Sequence, residues 1–104
     1  MDSKTMTHFR GDFPITVHPG KVLREMLEER RLHQADLARH LKTDVPRINE
    51  ICRGRRGISA AMAMMLAKAF GTSPQLWMNL QKNWELSQVD RNVAQHVRPL
   101  LKSA

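Results

Sequence analysis

The chain has 104 residues, with 17 Lys and Arg against 10 Asp and Glu, which gives a formal net charge of +7. This length suits one domain, and a hydrophobic fraction of 41% is enough for a packed core and argues against disorder. The sequence offers no apolar run long enough for a transmembrane helix, no signal peptide and only one cysteine, Cys52. We therefore expect a cytoplasmic protein that is not membrane-associated. Its basic charge favours nucleic acid or an acidic protein surface as partner.

The first half of the chain predicts an arm followed by three helices. Residues 1–17 have no sustained period and are interpreted as an N-terminal arm. A first helix is expected from Pro19 to Arg31, and a second over residues 34–41, where apolar side chains recur at helical spacing. Asp44 is a suitable N-cap for a third helix that Gly54 ends.

The second half predicts two more helices and a tail. Ser59 can cap a fourth helix that runs through Phe70. Ser73 and Pro74 begin a fifth, which should run through Leu86 with Val93 as its furthest extent. Strands are scarcely suggested, so residues 18–93 are expected to form an all-α domain of five helices, followed by a tail over 94–104.

The net charge is unevenly distributed. Residues 42–57 hold five basic side chains against two acidic ones, an excess of +3, whereas Lys68 is the only charged residue in 58–80. One interpretation is a solvated basic loop with no specific partner. The other is a surface directed at a polyanion, placed beside an uncharged packing segment.

Residues 34–51 carry the most specific pattern. Leu37, Ala38, Leu41, Ile48 and Ile51 are spaced for two short helices that cross steeply through a three-residue turn, as in a helix-turn-helix. The third helix, over about residues 45–52, could enter the major groove, although the same pattern also fits a hairpin that merely packs. The predicted base contacts are Pro46, Arg47, Asn49 and Glu50, and the predicted phosphate contacts are Gln34, Thr43, Arg53, Arg55 and Arg56.

Three further segments resemble HigA-type antitoxins, the DNA-binding halves of toxin–antitoxin modules. They are His18–Glu25 (HPGKVLRE), Arg55–Ala63 (RRGISAAMA) and Ser73–Gln81 (SPQLWMNLQ), and the last is the most specific. The helix-turn-helix spacing is similar to that of repressor-like, Xre-type proteins, except that Lys42 stands where the turn often has Gly. The resemblance covers about residues 18–86.

The resemblance implies a homodimer that binds a palindromic operator in double-stranded DNA and represses its own operon. It also implies that the protein neutralises a RelE-like, mRNA-cleaving toxin. On the fifth helix, the apolar side chains could form either the dimer interface or the monomer core; they are Leu76, Trp77, Leu80 and Trp84.

Other functions receive less support. The five histidines lack metal-ligand spacing, and nothing pairs a nucleophile with a base, so we expect no enzyme, metal or cofactor. The scattered phenylalanines and the lack of tyrosine disfavour RNA binding. Two binding alternatives stay open: a stand-alone Xre-type regulator without a toxin, and a toxin-neutralising protein that no longer contacts DNA.

Overall fold

The computed structural model describes residues 16–101. Its elements are α1 (Pro19–Glu29), α2 (Gln34–Leu41), α3 (Val45–Cys52), α4 (Ala60–Phe70), α5 (Pro74–Ser87) and a short 3-10 helix (Arg91–Ala94). Within this described part there is no strand, and the predicted all-α, five-helix fold is confirmed. The predicted arm lies almost wholly outside the described residues, as do the last three residues of the tail.

Three helices begin at the caps that the sequence indicates. The side-chain oxygens of Asp44, Ser59 and Ser73 each accept a hydrogen bond from the backbone N–H three residues further on, in every case at 3.1 Å. A proline follows in the first turn of α3 and of α5. Local side-chain chemistry therefore sets where these helices start, because each cap satisfies a donor that the helix leaves unpaired.

Helix α1 begins at a less usual cap. His18 Nδ1 accepts a hydrogen bond from the Gly20 N–H at 2.9 Å. The same ring meets Trp84 edge-on, with 4.8 Å between ring centroids, and lies beside Gly54. Burial lowers the pKa of His18 below its ordinary value. His18 thus joins the start of α1 to α5 and to the chain that leaves α3.

Helix α5 reaches Ser87 and stops short of Val93. The chain turns at residues 88–90, and the Asp90 carboxylate accepts from the Asn92 N–H at 2.9 Å to start the 3-10 helix. Beyond Ser87 every residue up to 101 is exposed, so no buried face continues the helix. Among the described residues, no helix is long and apolar enough to cross a membrane.

The core receives side chains from all five helices. Its fully buried members include Leu23, Ile48, Ile51, Leu66 and Trp77. Helix α1 lies against the end of α3, where a Cβ on Gly20 would overlap the carbonyl oxygen of Ile51. Only glycine permits the two backbones to approach so closely. This contact fixes the position of α3 relative to the rest of the core.

Candidate nucleic-acid interface

The turn between α2 and α3 is closed by backbone geometry. Lys42 adopts the left-handed conformation, with φ 59° and ψ 45°, at the position where the repressor-like pattern often has glycine. The next N–H, that of Thr43, donates to the Ala38 carbonyl at 2.9 Å. The turn therefore keeps the expected shape, and Lys42 carries the strain that an L-residue meets in this region.

The two helices enclose an apolar wedge. Leu37, Ile48 and Ile51 are buried, Leu41 is half-buried, and Ala38 is 1% exposed where the helices approach each other. Because these side chains occupy the inner face of α3, its other face is left for solvent. There Pro46 and Arg47 are exposed, and Asn49 and Glu50 are half-buried.

Two of the predicted contact residues are bonded to each other. Asn49 Nδ2 donates to Gln34 Oε1 at 3.0 Å, which joins the middle of α3 to the first residue of α2. Asn49 was predicted to contact a base and Gln34 a phosphate. The bond places the two amides side by side, one on α3 and one at the start of α2.

Glu50 is engaged inside the protein. Its Oε1 accepts from both Nε and Nη2 of Arg56 at 2.9 Å, and the pair is about half exposed. The carbonyl of Glu50 also accepts from the N–H groups of Arg55 and Arg56, at 2.8 and 3.2 Å. Glu50 therefore holds the near end of the segment that follows α3. Its predicted contact with cytosine stays a prediction, and in this structure the carboxylate is already paired.

The segment between α3 and α4, residues 53–59, is called the connecting loop. Its three arginines, 53, 55 and 56, are all exposed, as their predicted role as phosphate contacts requires. Thr43, another predicted phosphate contact, is half-buried in the turn. The loop thus presents three cations beside the exposed face of α3.

The residue that holds the far end of the connecting loop is not among the predicted site residues. Gln81, on α5, accepts from the Ile58 N–H through Oε1 at 2.7 Å. A signal was available, because Gln81 falls four residues after Trp77 and three before Trp84, on the inward face of the helix. Because glutamine is polar, the apolar spacing of the helix does not by itself predict that Gln81 is buried.

The four apolar residues predicted on α5 lie at different depths. Trp77 and Leu80 are buried in the monomer core, and Trp77 Nε1 donates to Thr72 Oγ1 at 2.9 Å. Leu76 and Trp84 are half-buried, with Trp84 against His18. The deeper pair therefore closes the core of the single chain, and the shallower pair retains accessible surface.

The remaining reactive groups are placed for packing. The Cys52 thiol is 2% exposed at the end of α3, and burial raises its pKa against the opposing influence of Arg24. Within residues 16–101, no group of three or more His, Cys, Asp or Glu side chains is arranged to hold a metal ion.

This arrangement, a short exposed helix held at a tight turn and flanked by arginines, defines a helix-turn-helix protein. Residues 23–77 match the helix-turn-helix family, and the chain belongs to that family.

Two solved structures and one sequence relative show which helix-turn-helix proteins this chain resembles. The antitoxin HigA of Pseudomonas aeruginosa, solved with the higBA promoter, is 42% identical, with a TM-score of 0.77 covering 84% of this chain and 100% of that one. The antitoxin GraA in complex with its operator is 32% identical, with a TM-score of 0.75 over 88% and 97% of the two chains. Virulence-associated protein A' of Dichelobacter nodosus is 39% identical over 84 residues, 80% of this chain and 73% of that protein. The resemblance to HigA-type antitoxins is confirmed.

Proposed function

We propose that this protein is the antitoxin of a type II toxin–antitoxin module and represses its own operon by binding the operator. The observation that carries the proposal is the 42% identity to Pseudomonas aeruginosa HigA across the whole of that chain, in a structure that contains promoter DNA. The exposed face of α3 and the arginines of the connecting loop supply the groups that such binding needs.

On this proposal α3 enters the major groove and its exposed residues contact base edges. Arg47 can bind guanine through two hydrogen bonds, Asn49 can bind adenine in the same way, and Glu50 can accept from cytosine. Pro46 lies at the end of the helix that meets the groove first. Asn49 exchanges its bond with Gln34 for the base, and this releases the Gln34 amide toward a neighbouring phosphate. Thr43 and the three loop arginines complete the phosphate contacts.

The first test measures operator preference. The affinity for DNA upstream of the protein's own gene is compared with that for a random duplex, by fluorescence anisotropy at moderate salt. Arg47→Ala and Asn49→Ala should each weaken operator binding about 5- to 140-fold, because a good base contact contributes about 1–3 kcal/mol. Binding to the random duplex should change far less.

Lys68→Ala is the matched control, since Lys68 is an exposed cation on α4, outside the proposed surface. It should leave operator preference unchanged. A wild-type protein that binds both duplexes equally would contradict the proposal. Operator affinity unaffected by Arg47→Ala and Asn49→Ala would favour a toxin-neutralising protein that no longer reads DNA.

The DNA-bound form is proposed to be a homodimer on a palindromic operator. Two recognition helices must then lie about 34–36 Å apart, one turn of the duplex, on the same face of the DNA. Leu76 and Trp84, the half-buried pair on α5, are the side chains proposed to contribute to the contact between the two copies. Light scattering should give twice the 12.0 kDa mass of the chain. A mass of one chain at micromolar concentration, free and on operator DNA, would contradict the dimer.

The second activity proposed is neutralisation of a RelE-like, mRNA-cleaving toxin by direct binding in the cytoplasm. The protein would act there as a binding partner and not as an enzyme. Co-expression with the product of the adjacent gene should yield a stable complex on size exclusion and remove that product's RNase activity. Operator binding without any such complex would instead support a stand-alone Xre-type regulator.

A further inference from the structure

Gln81 is the buried polar side chain of the described core. It is 7% exposed and lies on the inward face of α5. Its amide is used at both atoms: Oε1 accepts from the Ile58 N–H at 2.7 Å, and Nε2 donates to Glu85 Oε2 at 2.8 Å. The Glu85 bond fixes which way the amide faces, so that the oxygen points to the connecting loop.

Gly57 lies directly on this amide. A Cβ at Gly57 would come within 2.6 Å of Gln81 Nε2 and 2.9 Å of both Cδ and Oε1, closer than real contacts allow. The backbone of the connecting loop therefore rests on the Gln81 side chain. A side chain at residue 57 would have to displace the Gln81 amide, and with it the two hydrogen bonds that the amide makes.

We propose that Gln81 is a positioning residue for DNA binding: from the core of the domain it holds the connecting loop so that Arg53, Arg55 and Arg56 meet the phosphate backbone. This inference rests on the proposed function, because it assigns a role within the same interface. It reaches a residue on a different helix, 25 positions or more from the arginines that it serves.

The physical need for Gln81 follows from the two ends of the loop. At the near end, the carbonyl and carboxylate of Glu50 hold residues 55 and 56. At the far end Ile58 is 3% exposed, and its N–H would be buried without a partner if Gln81 were apolar. The loop would then shift to hydrate that N–H, and its arginines would lose their common orientation.

The experiment compares Gln81→Met, which keeps size and shape, with Gln75→Met, the same exchange at an exposed position of α5. A triple Arg53, Arg55 and Arg56→Gln variant measures the whole contribution of the loop. Affinity for the upstream DNA and for a random duplex is followed from 50 to 200 mM salt, at a temperature where circular dichroism shows every variant folded.

The slope of log affinity against log salt is the decisive quantity. It should become shallower by about 0.9 for each phosphate that the protein no longer neutralises, so the fall in affinity over this fourfold salt range shrinks about 3.5-fold per phosphate. The triple variant should reduce the slope by about 2.7, Gln81→Met by at least a third of that, and Gln75→Met not at all. Both duplexes should show the change, because phosphates carry no sequence information.

A purely structural role gives a different result. If Gln81→Met only lowered the folded fraction, affinity would fall by one factor at every salt concentration and the slope would stay that of the wild type. That result overturns the inference while the proposed function stands. Wild-type protein without operator preference overturns the proposed function and this inference together.

Amide hydrogen exchange on the free protein gives a second measurement that does not depend on DNA. In Gln81→Met the Ile58 amide should exchange at least tenfold faster, and in Gln75→Met at the wild-type rate. Gly57→Ala, which pushes on the same amide from the exposed loop, should reproduce both the faster exchange and the shallower slope. Unchanged Ile58 exchange in Gln81→Met would overturn the inference.

Discussion

The helix-turn-helix of residues 34–52 and the connecting loop of residues 53–59 are neighbours, yet different forces hold them in place. The first is fixed by an apolar wedge around Ile48 and by a backbone turn at Lys42. The second contributes one buried apolar side chain, Ile58, and is otherwise held by hydrogen bonds to Glu50 at one end and to Gln81 at the other. The part proposed to read bases is therefore set by packing, and the part proposed to bind phosphates is set by hydrogen bonds.

This difference has a functional reason. Discrimination between bases requires donors and acceptors placed to within a few tenths of an ångström, which a dense core provides. Phosphate binding by arginine depends mainly on charge and changes with salt, and a loop held at its two ends by hydrogen bonds is sufficient to place three arginines for it. Variants in the two regions should consequently fail in different ways.

Ile48→Ala should have the largest effect. Ile48 is fully buried between α2 and α3, and its truncation leaves a cavity, so the free energy of unfolding should fall by about 2–5 kcal/mol. Denaturant unfolding followed by circular dichroism measures the loss. Val45→Ala on the same helix, where the side chain is 43% exposed, should stay within about 0.5 kcal/mol of the wild type. Equal losses for the two variants would mean that the wedge does not hold α3.

The junction between the two regions should be sensitive to acid through His18. Burial lowers the pKa of the folded His18, so the unfolded chain binds its proton first as the pH falls. The stability that neutral His18 contributes, including its cap on Gly20, is therefore complete above the ordinary histidine pKa of about 6.5. It is lost as the pH falls from there through the lower pKa of the folded state. His18→Asn keeps a capping side chain without a titrating group, and should remove this component from the pH profile of thermal stability. An identical acid profile for the two proteins would exclude His18 as the source.

Glu50→Gln separates the two roles open to Glu50. If its carboxylate mainly restrains Arg56, the variant removes a negative charge beside the phosphate-binding arginines and raises affinity for a random duplex at low salt. Stability should change by less than about 1 kcal/mol, because the pair is half exposed and the Glu50 carbonyl still holds the loop. Loss of operator preference at unchanged random-duplex affinity would instead support the predicted base contact.

Lys42→Gly should give the smallest change and a favourable one. Glycine relieves the left-handed strain at Lys42 but adds freedom to the unfolded chain, for a net gain of about 0.5–1 kcal/mol in unfolding free energy. Arg31→Gly is a matched case, with φ 55° in the connection between α1 and α2. Lys42→Ala removes the same charge without relieving strain, and should not stabilise. A loss of stability in Lys42→Gly would mean that the lysine side chain itself supports the turn.

The predictable features of this molecule are the local ones. The caps at Asp44, Ser59 and Ser73 depend on a side chain and an N–H three residues away, and helical spacing alone assigns Ile48 and Ile51 to the core. Because these relations involve residues only a few positions apart, the sequence is enough to predict the order of the helices and which face of α3 is exposed.

The connections that organise the interface could not be predicted in the same way. Gln34 and Asn49 are 15 residues apart, and Ile58 and Gln81 are 23 apart, so each pair meets only once the helices have packed. The Glu50–Arg56 pair spans a loop whose path the sequence does not fix. His18 is a local cap, but histidine is not among the residues that usually cap helices, so the sequence around it does not predict this role.

The contact of Gly20 with the Ile51 carbonyl has a mechanical consequence. Helix α3 is eight residues long, about 12 Å, so a 1 Å displacement at its buried end would tilt its axis on the order of 5°. Because residue 20 has no Cβ, α1 packs directly against the backbone at the end of α3 and holds that end in place. The packing of the two helices therefore sets the angle at which α3 would approach a duplex. A change of base preference would then need new side chains on α3, while the axis of that helix stays where it is. Any residue larger than glycine at position 20 would instead tilt α3 and move all of its proposed contacts together.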